Sequence, residues 1–274
     1  MSDTVKNPAA YLEQLGHAAA QNPADPVDIA QAALMLAALD HSGLPLEPAR
    51  AHLAGIAEAM AAQGPMILRV GDGARALSTQ LSTRLGYDGD RFSYDDPRNA
   101  DLIQVIERRL GLPVTLGILY MHAARAAGMA ATGLNTQSHF LVRIGHRHDD
   151  VTIDPFNGGA ILEIGHPLPA ALGDAHLAEP VGDIDVLLRL QNNLKIRALE
   201  KSRTERALEI AGRMTLIAPQ RPDVWFDLAR LNEANGVLGA SRRAYERCMA
   251  LSSPGEALHN EAAALLAHLK RRLN

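Results

Sequence analysis

A histidine and an aspartate set the chemical question in this sequence. His139 opens a short apolar run, residues 139–144, and Asp154 lies inside a second, residues 151–156, followed directly by Pro155. A helix-forming run, residues 107–128, precedes both. An imidazole oriented by a carboxylate, beside a helix N-terminus, is two thirds of a Cys-His-Asp site. In such a site the ring takes a proton from a thiol and the helix end favours the thiolate. The third member is missing from this stretch: the one cysteine, Cys248, lies far downstream in a purely helical region.

Spacing sharpens the pair. The connection between the two runs reads GHRHDD, residues 145–150. A hairpin folded symmetrically about His146 and Arg147 sets His139 directly opposite Asp154. Directly opposed residues share a face of the sheet, whereas a one-residue slip would send them to opposite faces. His146 and His148 form an H-x-H at the hairpin tip, and with no third ligand in view no metal is expected there.

Elements must position this pair, and composition bounds them. The chain of 274 residues is 47% hydrophobic and 21% charged, which supports a sizeable core and excludes wholesale disorder. Aromatics make up only 4%, so helices packed through small residues are expected. A formal charge of −4 gives no reason to expect nucleic-acid binding. A single cysteine forms no internal disulfide. The opening MSDTVKNPAAYLEQL has no basic stretch before an apolar run, and no apolar stretch reaches membrane-spanning length. The expected location is cytoplasmic, without membrane attachment and without a cofactor; composition leaves the oligomeric state open.

Read in order, the periodicity predicts helices over residues 9–20, 29–40, 48–64, a stretch ending near 85, 102–110 and 114–127, with Pro113 suited to a first turn. GDGAR, residues 71–75, lacks the spacing and lysine of a phosphate loop and reads as a turn. Asp88, Asp90, Asp95 and Asp96 do not follow an EF-hand spacing, so that acidic loop is expected to carry no cation, with Asn99 or Asp101 capping the next helix. Arg108 and Arg109 read as a solvated helix edge, with contact of Arg108 or Arg143 to acidic partners as the alternative. A short strand is expected at 132–135, before the two central strands.

From residue 183 onward the pattern is purely helical, with amphipathic runs at 185–199, 204–218, 222–235, 238–251 and 256–273. Trp225, Leu228, Ala229, Gly236, Tyr245 and Cys248 fall at the spacing of a tetratricopeptide unit, with Pro254 near its terminal proline. Cys248 then occupies a small packing position and is expected to be buried and inert. The domains expected are residues 1–182 and 183–274.

The strings LIQVIERRLGLPVTLGILYMHAARAAGM, SHFLVRI and IDPFNGG resemble the transglutaminase-like superfamily, a papain-like α+β fold. More closely they resemble its SirB-type branch, where that core is followed by tetratricopeptide-like helices. The resemblance spans residues 29–251. It matches His139 to the superfamily histidine and Asp154 to its aspartate, and it puts Pro113 where the cysteine should start the central helix. The pair Gln137-Ser138 departs from the Pro-Gly usual in the branch.

Thr115 offers a hydroxyl that a His-Asp pair can activate in principle, but two helical residues rotate it about 200° from position 113. The resemblance therefore implies a cysteine-less protein working in protein–protein interaction or regulation, with a protein or peptide partner. Its alternatives are an unconventional hydrolase or acyltransferase using Thr115 or an activated water, and a sensor that binds a peptide or small acyl ligand.

Overall fold

The computed structural model describes residues 7–136, 139–146, 149–162 and 179–273. The chain forms two compact units, Pro26–Leu190 and a second that joins the N-terminal helix to the chain from Gln191 onward.

The first unit begins with α2 (Ile29–Ala38) and α3 (Glu47–Ala61). The side chain of Asp28 accepts from the Gln31 amide and so caps α2. Next comes α4 (Val70–Ser78), which runs on as a π-helical stretch to Arg84. Residues 71–75, expected to form a turn, lie instead within α4. Two glycines disfavour a helix by about 1 kcal/mol each relative to alanine. Tertiary packing overrides that preference: a Cβ on Gly73 would sit 2.3 Å from the Met129 sulfur. The helix is built against a neighbour that needs the missing side chain.

β1 (Asp88–Gly89) and β2 (Leu110–Gly111) form a short parallel pair around α5 (Leu102–Arg108). Asp101 caps α5 by accepting from the Gln104 amide. The central helix α6 (Pro113–Ala126) starts on its proline, and its residues from Pro113 to Met121 are all buried.

α6 packs across an antiparallel sheet of β3 (Ala131–Asn135), β4 (Phe140–His146), β5 (Asp149–Asp154), β6 (Ala160–Leu162) and β7 (Glu179–Val181), in spatial order β6-β5-β4-β3-β7. The close approach depends on Gly117 and Gly133, where a Cβ would stand 2.4 and 2.7 Å from the Phe140 ring. Strands β6 and β7 and the β1–β2 pair leave no mark in the sequence pattern, because runs of two or three residues carry no periodicity.

The hairpin register differs from the expected one. Val142 pairs with Ile153 and His146 with Asp149, so the ladder is shifted by two residues from a fold centred on His146 and Arg147. Arg147, His148, Gln137 and Ser138 fall outside the described residues, as does the side chain of His146.

α7 (Asp183–Glu200) begins in the first unit and ends in the second. Its first residue is tied down by Arg125, whose guanidinium contacts both Asp183 carboxylate oxygens at 2.9 and 2.7 Å. The second unit contains α1 (Pro8–Gln21), α8 (Thr204–Ile217), α9 (Pro222–Ala234), α10 (Leu238–Leu251) and α11 (Ala257–Leu273).

Tyr245, Cys248, Ala229, Ala262 and Leu269 are fully buried in one cluster, with Phe226 edge-on to Tyr245. Burial raises the Cys248 thiol pKa, the setting of a packing residue. α1 packs on α8, where Gly16 lies so close to the Leu216 carbonyl that a Cβ would sit 2.2 Å away. This differs from the expected division at 182/183, which grouped α1 with the first domain. A short alanine-rich amphipathic helix does not reveal from its own sequence which face it will cover. Among the described residues no helix is long and apolar enough to cross a membrane.

Candidate active site

β4 and β5 carry the central pair. His139 immediately precedes β4 and Asp154 ends β5, and the two-residue shift leaves them on the same face as diagonal neighbours. Nε2 of His139 lies 2.9 Å from Oδ1 of Asp154, and the carboxylate is 1% exposed.

Burial pushes the Asp154 pKa up. The hydrogen bond and charge of His139, the Asn157 amide and the Phe156 backbone outweigh it and hold the pKa below its ordinary value. An ionised carboxylate only accepts, so the imidazole donates from Nε2 to Asp154, and in the neutral ring this leaves the lone pair on Nδ1. This is the tautomer a base needs.

The carboxylate is saturated with donors. Oδ1 also accepts from the Phe156 and Asn157 amides at 3.0 and 3.3 Å, and Oδ2 accepts from Asn157 Nδ2 at 2.5 Å. Arg91 holds Asn157 and its turn, donating to Asn157 Oδ1 at 2.7 Å and to the Phe156 carbonyl at 3.0 Å. The backbone of His139 is fixed separately. Its amide donates to Thr136 Oγ1 at 2.8 Å, and its carbonyl accepts from Arg189 at 3.0 Å. The His139 ring meets Phe156 edge-on, and Phe156 in turn meets Tyr94. Asn157, Arg91, Arg189 and Thr136 were not expected from the sequence. Only Asn157, three residues after Asp154, carried a local signal.

The helix start is the other half of the question. Pro113 occupies the first turn of α6 and supplies no nucleophile. Thr115 is fully buried, and its hydroxyl donates to the Asn99 carbonyl at 2.8 Å. That same carbonyl accepts from the Leu112 amide at 3.0 Å. The Thr115 proton therefore goes to a backbone acceptor rather than to an imidazole, and the hydroxyl acts as a strut for the helix entry.

Tyr120, further along α6, presents a buried hydroxyl with no hydrogen-bond partner among the described residues. Burial, Asp88 and Asp154 together raise its pKa. It packs against Gly159, where a Cβ would lie 2.7 Å from the hydroxyl oxygen.

One expectation about charged residues is corrected. Arg108 and Arg109 are not a solvated edge. Arg108 donates to Asn99 Oδ1 at 2.8 Å and to Asp90, which is 2% exposed, at 3.0 Å. Arg109 turns inward onto Tyr87 and His52. Both arginines follow Glu107, and a run of three charges resembles a solvated surface when no partner can be seen.

In the acidic loop, Asp90 accepts from the Ser93 and Phe92 amides as well as from Arg108. Burial pushes the Asp90 pKa up, but the Ser93, Asn99 and Arg108 hydrogen bonds bring it to about 2. Of the two residues expected as caps, Asp101 caps α5. Asn99 instead is fully buried and joins Ser93, Arg108, Leu112 and Thr115. Among the described residues no group of three or more His, Cys, Asp or Glu side chains is placed to hold a metal ion.

Comparison with known proteins agrees with this architecture. Residues 47–192 match the family model for the transglutaminase-like superfamily, and residues 194–273 match that for the tetratricopeptide repeat. The chain is 32% identical over 163 residues to a "UPF0162 protein" of Xylella fastidiosa strain 9a5c, covering 56% of this chain and 58% of that one. A "UPF0162 protein" of Vibrio cholerae is 30% identical over 146 residues, 50% of this chain and 54% of its own. Human "F-box only protein 21" is 33% identical over 82 residues, 30% of this chain and 13% of that protein. The chain thus spans less than two thirds of the length of the curated relatives it matches.

Proposed function

The chain belongs to the transglutaminase-like superfamily, and from that premise we propose that it is a cysteine-less, SirB-type member that binds a protein or peptide instead of cleaving one. One observation carries the reading. At the start of α6, Pro113 offers no nucleophile, and the nearby Thr115 hydroxyl is engaged by the Asn99 carbonyl. Geometry must be right before any pKa argument for a nucleophile begins. His139 and Asp154 then serve as a satisfied polar pair that locks the β4–β5 hairpin to the turn after it. The tetratricopeptide repeats that follow, residues 194–273, add helix pairs of the kind that hold peptide segments. A cytoplasmic setting fits this role.

The test is turnover of a panel of peptides and acyl amides by the full chain beside His139→Ala. This reading expects no turnover above the variant, together with retention of the same protein partners on immobilised wild type and variant. Turnover lost on substitution overturns it.

A second reading has its own support. With Nε2–H directed to Asp154, the neutral form of the His139 ring carries its lone pair on Nδ1, the atom that would take a proton from water. The water-activating hydrolase predicts hydrolysis that disappears in both His139→Ala and Asp154→Asn but survives Thr115→Val. Absence of hydrolysis across the panel eliminates it.

A further inference from the structure

A second polar cluster stands apart from the His139–Asp154 pair and shares no residue with it. It lies in the first unit, at the polar end of a cleft of about 370 Å³ between α3, the segment before it and α5. That volume is in the range of small-molecule sites, roughly 300–1,000 Å³. Leu44, Leu46, Ile103 and Ile106 supply apolar walls, and His52 and Arg109 close the polar end.

The protonation of this end follows from the hydrogen bonds. Arg109 Nη1 contacts His52 Nε2 at 2.7 Å, and a guanidinium can only donate. His52 Nε2 is therefore unprotonated, and the ring proton sits on Nδ1. Burial, and after it the Arg109 charge, lowers the His52 pKa, so the ring stays neutral. Tyr87, which also contacts Nε2 and Nη1, is kept neutral by burial, which outweighs Arg109 and pushes its pKa up to about 12.

No carboxylate among the described residues neutralises Arg109. Glu107 lines the cleft but is exposed, accepts from Gln104 and makes no ion pair with Arg109. Of the five guanidinium N–H groups, Nη1 uses its two on His52 and Tyr87. The Nε and Nη2 hydrogens have no acceptor among the described residues, nor does His52 Nδ1–H.

The backbone points the same way. Arg109 adopts a left-handed conformation, φ 64°, which a side chain with a Cβ takes up only at a cost that glycine avoids. The strained residue is the one that places the charge, stacked 4.8 Å over the Tyr87 ring.

We propose that this cleft binds a small aliphatic carboxylate, its anionic end on Arg109 and His52 and its tail against Leu44, Leu46, Ile103 and Ile106. His52 and Arg109 present N–H donors and a positive charge that no described carboxylate pairs with, which favours an anion there, while Glu107 elsewhere on the lining is engaged by Gln104. The apolar walls select a tail and disfavour a fully hydrated inorganic ion. The same chemistry is presented by a free branched-chain acid and by the C-terminal leucine of a peptide.

The experiment is calorimetric titration of the full chain with 4-methylpentanoate, 4-methylpentanamide, and Gly-Gly-Leu as free acid and as C-terminal amide. The acids are expected to bind at least tenfold more tightly than their amides; whichever acid binds more tightly identifies the source. Arg109→Gly, compatible with the left-handed backbone, and Ala49→Phe, which fills the cleft, are each expected to weaken acid binding at least tenfold. The acid-against-amide comparison needs only the wild type, so it stands even if a variant fails to fold. Equal affinity for acid and amide, undiminished acid binding in both folded variants, or no binding of either acid at millimolar concentration overturns the proposal.

Discussion

His139 and Asp154 meet at 2.9 Å diagonally across the β4–β5 hairpin, two residues out of direct register. The shared face, though not the contact itself, survives a change of ladder position. Any even shift keeps both side chains on one face, and the turn at 155–157 brings the carboxylate to the ring.

Asp154→Asn tests how much this arrangement contributes. The carboxylate accepts from one ring nitrogen, two backbone amides and one side-chain amide, whereas an asparagine replaces one acceptor oxygen by a donor. Hydrogen bonds to charged groups are worth about 1.5–3 kcal/mol each, and the loss of one buried set is expected to cost about 2–4 kcal/mol. Urea unfolding of variant and wild type at neutral pH measures it. A change under half a kcal/mol would mean the pair is not a structural lock.

Acid should unfold the protein through specific carboxylates. The Asp90 and Asp154 pKa values are both lowered in the folded state, Asp90 to about 2. A lowered folded pKa stabilises fully above the unfolded value near 3.9, and that contribution fades as pH falls towards the folded value. Stability of the wild type should therefore fall steeply between about pH 4 and 2. In Asp90→Asn the neutral-pH stability should be lower and the slope in that window shallower. An unchanged slope in the variant would contradict the assignment.

Gly117→Ala sets two opposing effects against each other. Alanine favours a helix by about 1 kcal/mol over glycine. Here its Cβ would stand 2.4 Å from the ring of Phe140, which is fully buried. Overpacking costs about 1–3 kcal/mol, so a net loss is expected as a lower midpoint in thermal unfolding. A rise in the midpoint would show that β4 can move away from α6.

Thr115→Val separates a strut from a nucleophile. The substitution removes a hydrogen bond to a carbonyl that keeps its second donor, Leu112 N–H, so a loss of about 0.5–1.5 kcal/mol is expected. Denaturant unfolding checks the stability change. A parallel acyl-amide assay should show no difference, and a lost activity would restore Thr115 as a reacting group.

Much of the architecture is legible in the sequence because its signals are long or chemically distinctive. The periodic helices, Pro113 at a helix start and the alternation of the two central strands all read directly. The His139–Asp154 face is legible through parity, while its register is not. The expected centre at His146 and Arg147 assumes a symmetric tip, and the pairing of His146 with Asp149 moves it. The residues holding the site are hidden for a different reason. Arg91, Asn99 and Arg189 act through partners distant in sequence or through a backbone carbonyl, neither of which leaves a pattern. Gly71 to Arg75 mislead because local preference and tertiary packing disagree there.

If the site has lost its nucleophile, no residue near the His139–Asp154 pair forms a covalent bond with an acyl group. Intact-mass spectrometry of the full chain after incubation with activated acyl donors, followed by peptide mapping, puts this to the test. The expected result is an unmodified mass across residues 26–190, the same in wild type and His139→Ala. A stoichiometric acyl adduct within those residues that is lost in His139→Ala would show that the pair still drives acyl chemistry.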